Sequence, residues 1–158
     1  MNIFFLDKDP SLAARYQCDK HVVKMVLESA QILSSVHRLS GSNDQALYSL
    51  THQNHPCVLW VIESEAHYKW LLKHYIALCS EYTYRYQKLH KSEMLCGILS
   101  NVPKALANTT FSWTLKVTDN DIKDVVASYQ QYYINKSKVM KMTWINREIP
   151  HFMSKIHK

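Results

Sequence analysis

Apolar positions recur along this chain mostly at helical spacing. Met1-Asn2-Ile3-Phe4-Phe5-Leu6 is a short apolar run, which predicts a buried arm or a short strand. Asp9-Pro10-Ser11 reads as a turn or helix start, because proline is tolerated in a first turn. From Leu12 to Leu39 the pattern predicts one long helix, with a candidate break at Cys18-Asp19 and a stop at Gly41-Ser42-Asn43-Asp44. Ser49 to Pro56 has neither helical nor alternating period and predicts a loop. Helix resumes after Pro56 and runs, with a candidate break, to about Lys91, where Leu71, Tyr75, Leu78 and Tyr82 share one face. Ser92 to Lys116 predicts a shorter helix and loops around Pro103. Thr118-Asp119-Asn120-Asp121 reads as a capping-box-like start for a helix striped by Ile122, Val125, Val126, Tyr129 and Tyr132. The expectation is one all-α domain over residues 1–158, with a short apolar N-terminal arm and a basic, aromatic C-terminal segment over 136–158.

Composition narrows the chemistry. Two glycines in 158 residues, Gly41 and Gly97, leave no G-x-G-x-x-G turn and no G-x-x-x-x-G-K-[ST] loop, which excludes the usual glycine cradles for nucleotide phosphates. Their scarcity also argues against a hairpin-rich sheet protein. The net charge of +6 is uneven. From Lys136 to Lys158 six cations face the single acid Glu148, so this segment holds nearly all of the excess and fits a polyanionic partner. Cys18, Cys57, Cys79 and Cys96 form no C-x-x-C pair, and no charged leader with an apolar run opens the chain. Free thiols in a reducing cytoplasm are the expectation. No apolar stretch approaches the roughly 20 residues of a membrane span.

Three clusters carry candidate chemistry. On the first long helix His21, Lys24, Glu28, Gln31, Ser35 and Arg38 recur at intervals of three and four, a narrow polar strip with apolar flanks on both sides. The strip is either a solvated face with an ordinary Lys24–Glu28 pair, or one wall of a cleft in which Glu28 works as acid, base or electrostatic stabiliser. His52-Gln53-Asn54-His55-Pro56-Cys57 offers two imidazoles and a thiol. One loop supplies at most three zinc ligands, and Asn54 and His55 read better as polar groups lining a cleft opposite Glu28. Aromatic and basic residues interleave in Tyr82, Tyr84, Arg85, Tyr86 and Lys88, and again in Tyr132, Tyr133, Lys136, Lys138, Lys141, Trp144 and Arg147. Rings stack on bases while cations neutralise phosphates, although tyrosines at this spacing also build cores.

With these residues in view, the chain resembles the pyrimidine-dimer DNA glycosylases of the phage endonuclease V type and their bacterial relatives. The resemblance rests on the apolar opening, on Asp19-x-His21 with Glu28 seven residues later, on Asn54-His55-Pro56 opening a helix, and on Glu81-Tyr82 with Arg85-Tyr86. It covers about half the chain. It implies a compact helical domain that binds duplex DNA, flips a nucleotide and needs no metal or other cofactor. It also implies attack by a free α-amine on the sugar C1′, a Schiff base, and β-elimination of the strand. An α-amine with a pKa of about 7.7–8.0 keeps a useful neutral fraction at pH 7. Met1, with the bulky Asn2 behind it, is the residue expected to supply that amine. Glu28 inherits the carboxylate role near C1′, with His21 as the third candidate catalytic residue. The phage enzymes carry arginines immediately before and three after the glutamate, where this chain has Leu27 and Gln31. Lys24, Gln31, Arg38, Asn54, His55 and Arg85 are therefore the expected DNA contacts around the site, with Lys138, Lys141, Trp144 and Arg147 in the tail. Two other classes stay open at this level: a non-catalytic nucleic-acid-binding or inhibitory protein, and an enzyme acting on a nucleotide or small polar substrate.

Overall fold

A computed structural model describes residues 1–157; Lys158, the last cation of the basic segment, lies outside the described residues. Among these residues there are six α-helices and no strand: α1 (Pro10–Tyr16), α2 (Asp19–Leu39), α3 (Pro56–Ile62), α4 (Glu65–Tyr86), α5 (Cys96–Leu99) and α6 (Val125–Ser137). Short 3-10 turns occupy Lys91–Leu95 and His151–His157. None of the helices is long and apolar enough to cross a membrane.

The helix boundaries have local causes. Asp9 caps α1 through its side chain, which accepts from the backbone N–H of Ser11 and Leu12. The expected long helix breaks at the predicted place, because Gln17 and Cys18 are extended and fully buried. His55 caps α3 with its ring nitrogen and Ser64 caps α4, so the apolar run after Pro56 is two helices. The expected helix start at Thr118 is corrected. Asp124 is the cap, accepting from Ala127 N–H, and α6 begins at Val125. Thr118 and Asn120 bond Ser128, one turn into that helix, and Ile122 stays outside it.

The opening arm is the centre of the core. Ile3, Phe4, Phe5 and Leu6 are buried, and the Phe5 ring meets Trp60, Trp70, Trp113 and Tyr129 with centroids 4.7–5.6 Å apart. Edge-to-face clusters of this size each add attraction beyond area burial. The arm is thereby fixed between α3–α4 on one side and α6 on the other, with its first residue emerging beside α2. Asn2 pins that end: its amide donates to the Val117 carbonyl, while its Oδ1 accepts from Ile3 N–H and the Tyr129 hydroxyl.

Candidate functional site

Where the arm meets α2 and α6 there is a cleft of about 180 Å³ whose walls include Met1, Phe4, His21, Lys24, Glu28, Tyr132 and Lys136. The three expected catalytic residues therefore share one concavity, although they come from two separate segments. A larger depression of about 520 Å³ lies elsewhere, between α1 and α4. It holds none of them.

Each group in the cleft has a definite environment. Glu28 is mostly buried, its side chain 13% exposed. Its Oε1 lies 3.5 Å from the Lys24 ammonium, and its Oε2 is buried with no hydrogen-bond partner. His21 packs its ring flat on Phe4, at 4.5 Å and 12°, and Phe4 is also nearly parallel to Tyr132. Its Nδ1 lies 2.7 Å from the Tyr133 hydroxyl, which already accepts from the Cys18 N–H. The hydroxyl proton is free to go to Nδ1, and this arrangement leaves the remaining proton of a neutral His21 on Nε2. Burial first, then the charges of Lys136 and Lys24, push His21 down to about 4, so it is neutral at physiological pH. Lys136 stands 5.2 Å from the Tyr132 ring centre.

The loop before α3 approaches the same region. Ser35 of α2 holds Thr51 by two bonds, accepting from its N–H and donating to its carbonyl. His55 N–H donates to the His52 carbonyl, closing a turn in which His52 has a left-handed φ of 50°. His55 is pushed down by burial, by the positive amino terminus and by His52, against the pull of Glu28. The charges of the amino terminus and of Glu28 are also both felt at Cys57. That thiol is pushed up to about 12, chiefly by burial, and lies wholly inside the fold. Among the described residues no three His, Cys, Asp or Glu side chains converge as a metal-ligand set.

The expected DNA contacts divide sharply. Lys24, Asn54, Lys138 and Lys141 are exposed, and Gln31 is half-buried beside Glu28 on α2. Four others are engaged inside the fold. Arg85 is buried, donating to Glu81, Asp19 and the carbonyls of Arg15 and Gln17. Arg38 donates to the carbonyls of Ser42, Leu47 and Tyr48, closing the loop after α2. Trp144 donates to the Tyr16 carbonyl. Arg147 forms two bonds to Glu81, at 2.8 and 3.1 Å, and lies 3.8 Å over the Tyr84 ring. These four cannot also face a phosphate with the same donors. Tyr132 and Lys136 were visible in the sequence as aromatic and basic residues at helical spacing, but only the fold brings them to the cleft. Phe4 and Asn2 carried no signal beyond the apolar arm itself.

Comparison with known proteins gives a single finding. No curated protein and no solved structure matches the chain. A family model described as pyrimidine dimer DNA glycosylase matches residues 1–94. That span contains the arm, α1 to α4 and the Met1, His21, Lys24 and Glu28 side of the cleft, while Tyr132 and Lys136 come from beyond it. The match covers more than half of the chain's 158 residues, and the chain belongs to the pyrimidine dimer DNA glycosylase family.

Proposed function

We propose that this glycosylase acts on duplex DNA through the α-amine of Met1, with Glu28 handling protons, and that it carries an abasic-site lyase activity on the same intermediate. The observation that supports the reading best is the presence of Met1 and Glu28 in one cleft, with a carboxylate oxygen that has no other partner.

The chemistry follows from those groups. The damaged nucleotide leaves the stack so that its C1′ reaches the cleft. The neutral amine of Met1 donates its lone pair to C1′. The glycosidic C–N bond breaks, and the base nitrogen keeps that electron pair and takes up a proton, the base itself staying joined to its dimer partner. The new amine nitrogen loses a proton to Glu28, and the C1′–O4′ bond opens as Glu28 returns a proton to O4′, leaving an iminium at C1′. The negative carboxylate stabilises that cation. Loss of a C2′ proton then expels the 3′ phosphate by β-elimination, and water releases the protein. Lys24, Lys136, Lys138 and Lys141 supply cations for the backbone on either side. None of these steps draws on a metal.

Borohydride trapping tests the scheme, because it reduces the iminium to a stable amine. Incubation with duplexes carrying one pyrimidine dimer or one abasic site should give a covalent adduct. Blocking the amino terminus should abolish it, and Glu28→Gln should reduce it strongly. Glycosidic-bond cleavage at the dimer without any adduct would leave a glycosylase that uses water in place of the amine. Tight binding with neither adduct nor glycosidic-bond cleavage would overturn the reading in favour of a non-catalytic DNA-binding protein.

A further inference from the structure

Tyr133 of α6 is fully buried, and its hydroxyl joins two groups of α2. The Cys18 N–H, at a helix start that no side chain caps, donates to it at 2.8 Å, and His21 Nδ1 lies 2.7 Å away. Two proton placements could link the hydroxyl to Nδ1, but only one leaves no buried proton stranded. If Nδ1–H were the donor, the hydroxyl's own proton would have no acceptor, because no third polar group among the described residues bonds it. A buried donor left unmatched costs about 1–3 kcal/mol. The hydroxyl therefore donates, and Nδ1 accepts. The imidazole has no room to reorient, since it lies flat on Phe4 at 4.5 Å and edge-on to the Tyr133 ring at 5.2 Å.

The consequence falls on the far edge of the ring. His21 lines the cleft, and its Nε2 has no protein partner and is open to solvent. An N–H fixed there is an uncharged donor beside the charged Lys24, Glu28 and Lys136. Such a donor holds a neutral carbonyl only modestly, and its bond strengthens as that oxygen gains charge. Breaking the glycosidic bond of a pyrimidine nucleotide leaves an electron pair on the ring nitrogen, from which charge spreads to the carbonyl oxygen beside it. A rigid N–H aimed at that oxygen favours bond breaking over ground-state binding. The other tautomer would turn a bare lone pair toward the same oxygen.

We propose that Tyr133 is a positioning residue: it locks His21 as the Nε2–H tautomer, and that N–H bonds the carbonyl oxygen beside the glycosidic nitrogen of the departing pyrimidine. The proton stays on Nε2 throughout. Tyr133 lies beyond residues 1–94, so the lock comes from outside the span that the family model matches. The proposal rests on the Met1–Glu28 cleft being the place of cleavage, and not on the amine as nucleophile.

Nitrogen-15 NMR of the full chain at pH 7 reads the tautomer without any chemistry, and His21 should carry its proton on Nε2 alone. A parent protonated on Nδ1 would overturn the lock. In Tyr133→Phe, His21 should become a mixture of tautomers, and single-turnover cleavage of the glycosidic bond at a pyrimidine dimer should slow by about tenfold. His21→Gln offers an amide N–H near the position of Nε2–H and has no tautomer to lose. Adding Tyr133→Phe to it should change the rate by less than about twofold. An equal further loss in that background would make Tyr133 a structural residue only. His21→Leu should slow cleavage by about 10²–10³-fold, the usual worth of one such donor, and an unchanged rate would overturn the donor. On a preformed abasic site, which has no departing base, Tyr133→Phe should form the borohydride adduct at the parent's rate. Slowing as large as at the dimer would overturn the assignment to the base. A parent that cleaves at the dimer without any adduct would remove the amine reading alone, and the NMR and the paired variants would still decide this one.

Discussion

At Glu28 one carboxylate oxygen faces an ammonium and the other faces no donor, in a side chain that is mostly buried. A residue held only for stability would have little reason to be left so, because a solvent-facing i,i+4 pair contributes only about 0.3–0.5 kcal/mol. Lys24, the other half of the pair, is 65% exposed. Glu28→Gln keeps the shape and removes the charge and the proton-handling capacity. Glycosidic-bond cleavage should slow by about 10²–10⁴-fold, the usual worth of a positioned acid or base, while urea unfolding stays close to the parent. A variant with the same loss of stability as of activity would make Glu28 a structural residue. Residue identity alone did not separate such positions. Glu28 and Glu81 both precede a basic or polar residue at helical spacing, yet Glu81 lies in a buried network with Arg85 and Arg147. The sequence pattern exposed the strip of α2 but not its inward turn: His21 and Ser35 are buried, while the apolar Val23 and Leu27 are exposed.

Among the elements, the segment 143–147 shows how cations of similar appearance diverge. It is laid across the start of α2, where Asp19 accepts from the Thr143 hydroxyl and the Ile145 N–H, and donates its own N–H to the Thr143 carbonyl. Arg147 then closes the contact onto Glu81 of α4. Lys141, two residues before the clasp, is exposed. Arg147→Ala should therefore lower stability by about 1–3 kcal/mol through the lost charge-assisted bonds, leaving the salt dependence of DNA binding unchanged. Lys141→Ala should do the reverse, with an unchanged unfolding midpoint and a salt slope reduced by about one charge. Unfolding curves and binding titrations across salt distinguish the two. The long helices were legible because an apolar period needs only local sequence. The fates of Arg38, Arg85, Trp144 and Arg147 were not, because their partners are set by the packing of distant elements. Asp19 and Arg85 come together across two helices, and the α6 start moved because Asp124 caps it, while Thr118 and Asn120 tie the preceding turn to Ser128.

For the whole molecule, the most general consequence of the core is its response to acid. The fold buries histidines as neutral hydrogen-bonding groups. His74 lies in the interior, its Nδ1 against the Pro10 carbonyl and its Nε2 against the Gln17 amide, and burial pushes it down to about 4. His21 is pushed to about 4 as well, and burial lowers His37 in the same direction. In the unfolded chain these imidazoles return to about 6.5. Between those values the unfolded state binds protons that the native state refuses, so stability falls as pH drops from about 6.5 toward 4 and is fully present above that window. Unpaired Asp and Glu contribute little above pH 5, which leaves the interval from pH 5 to 6 to the histidines. There the slope of unfolding free energy against pH should correspond to the uptake of about two protons or more, on the order of a few kcal/mol across the whole window. His74→Gln, which retains a donor and an acceptor, should reduce that uptake by about one proton, and its stability deficit at pH 7 should shrink as the pH falls. Urea unfolding at half-unit steps from pH 7 to 4.5 measures both. A flat profile between pH 5 and 6 in the parent would mean that His21 and His74 are protonated in the folded protein, and the neutral imidazole in the cleft would have to be abandoned with it.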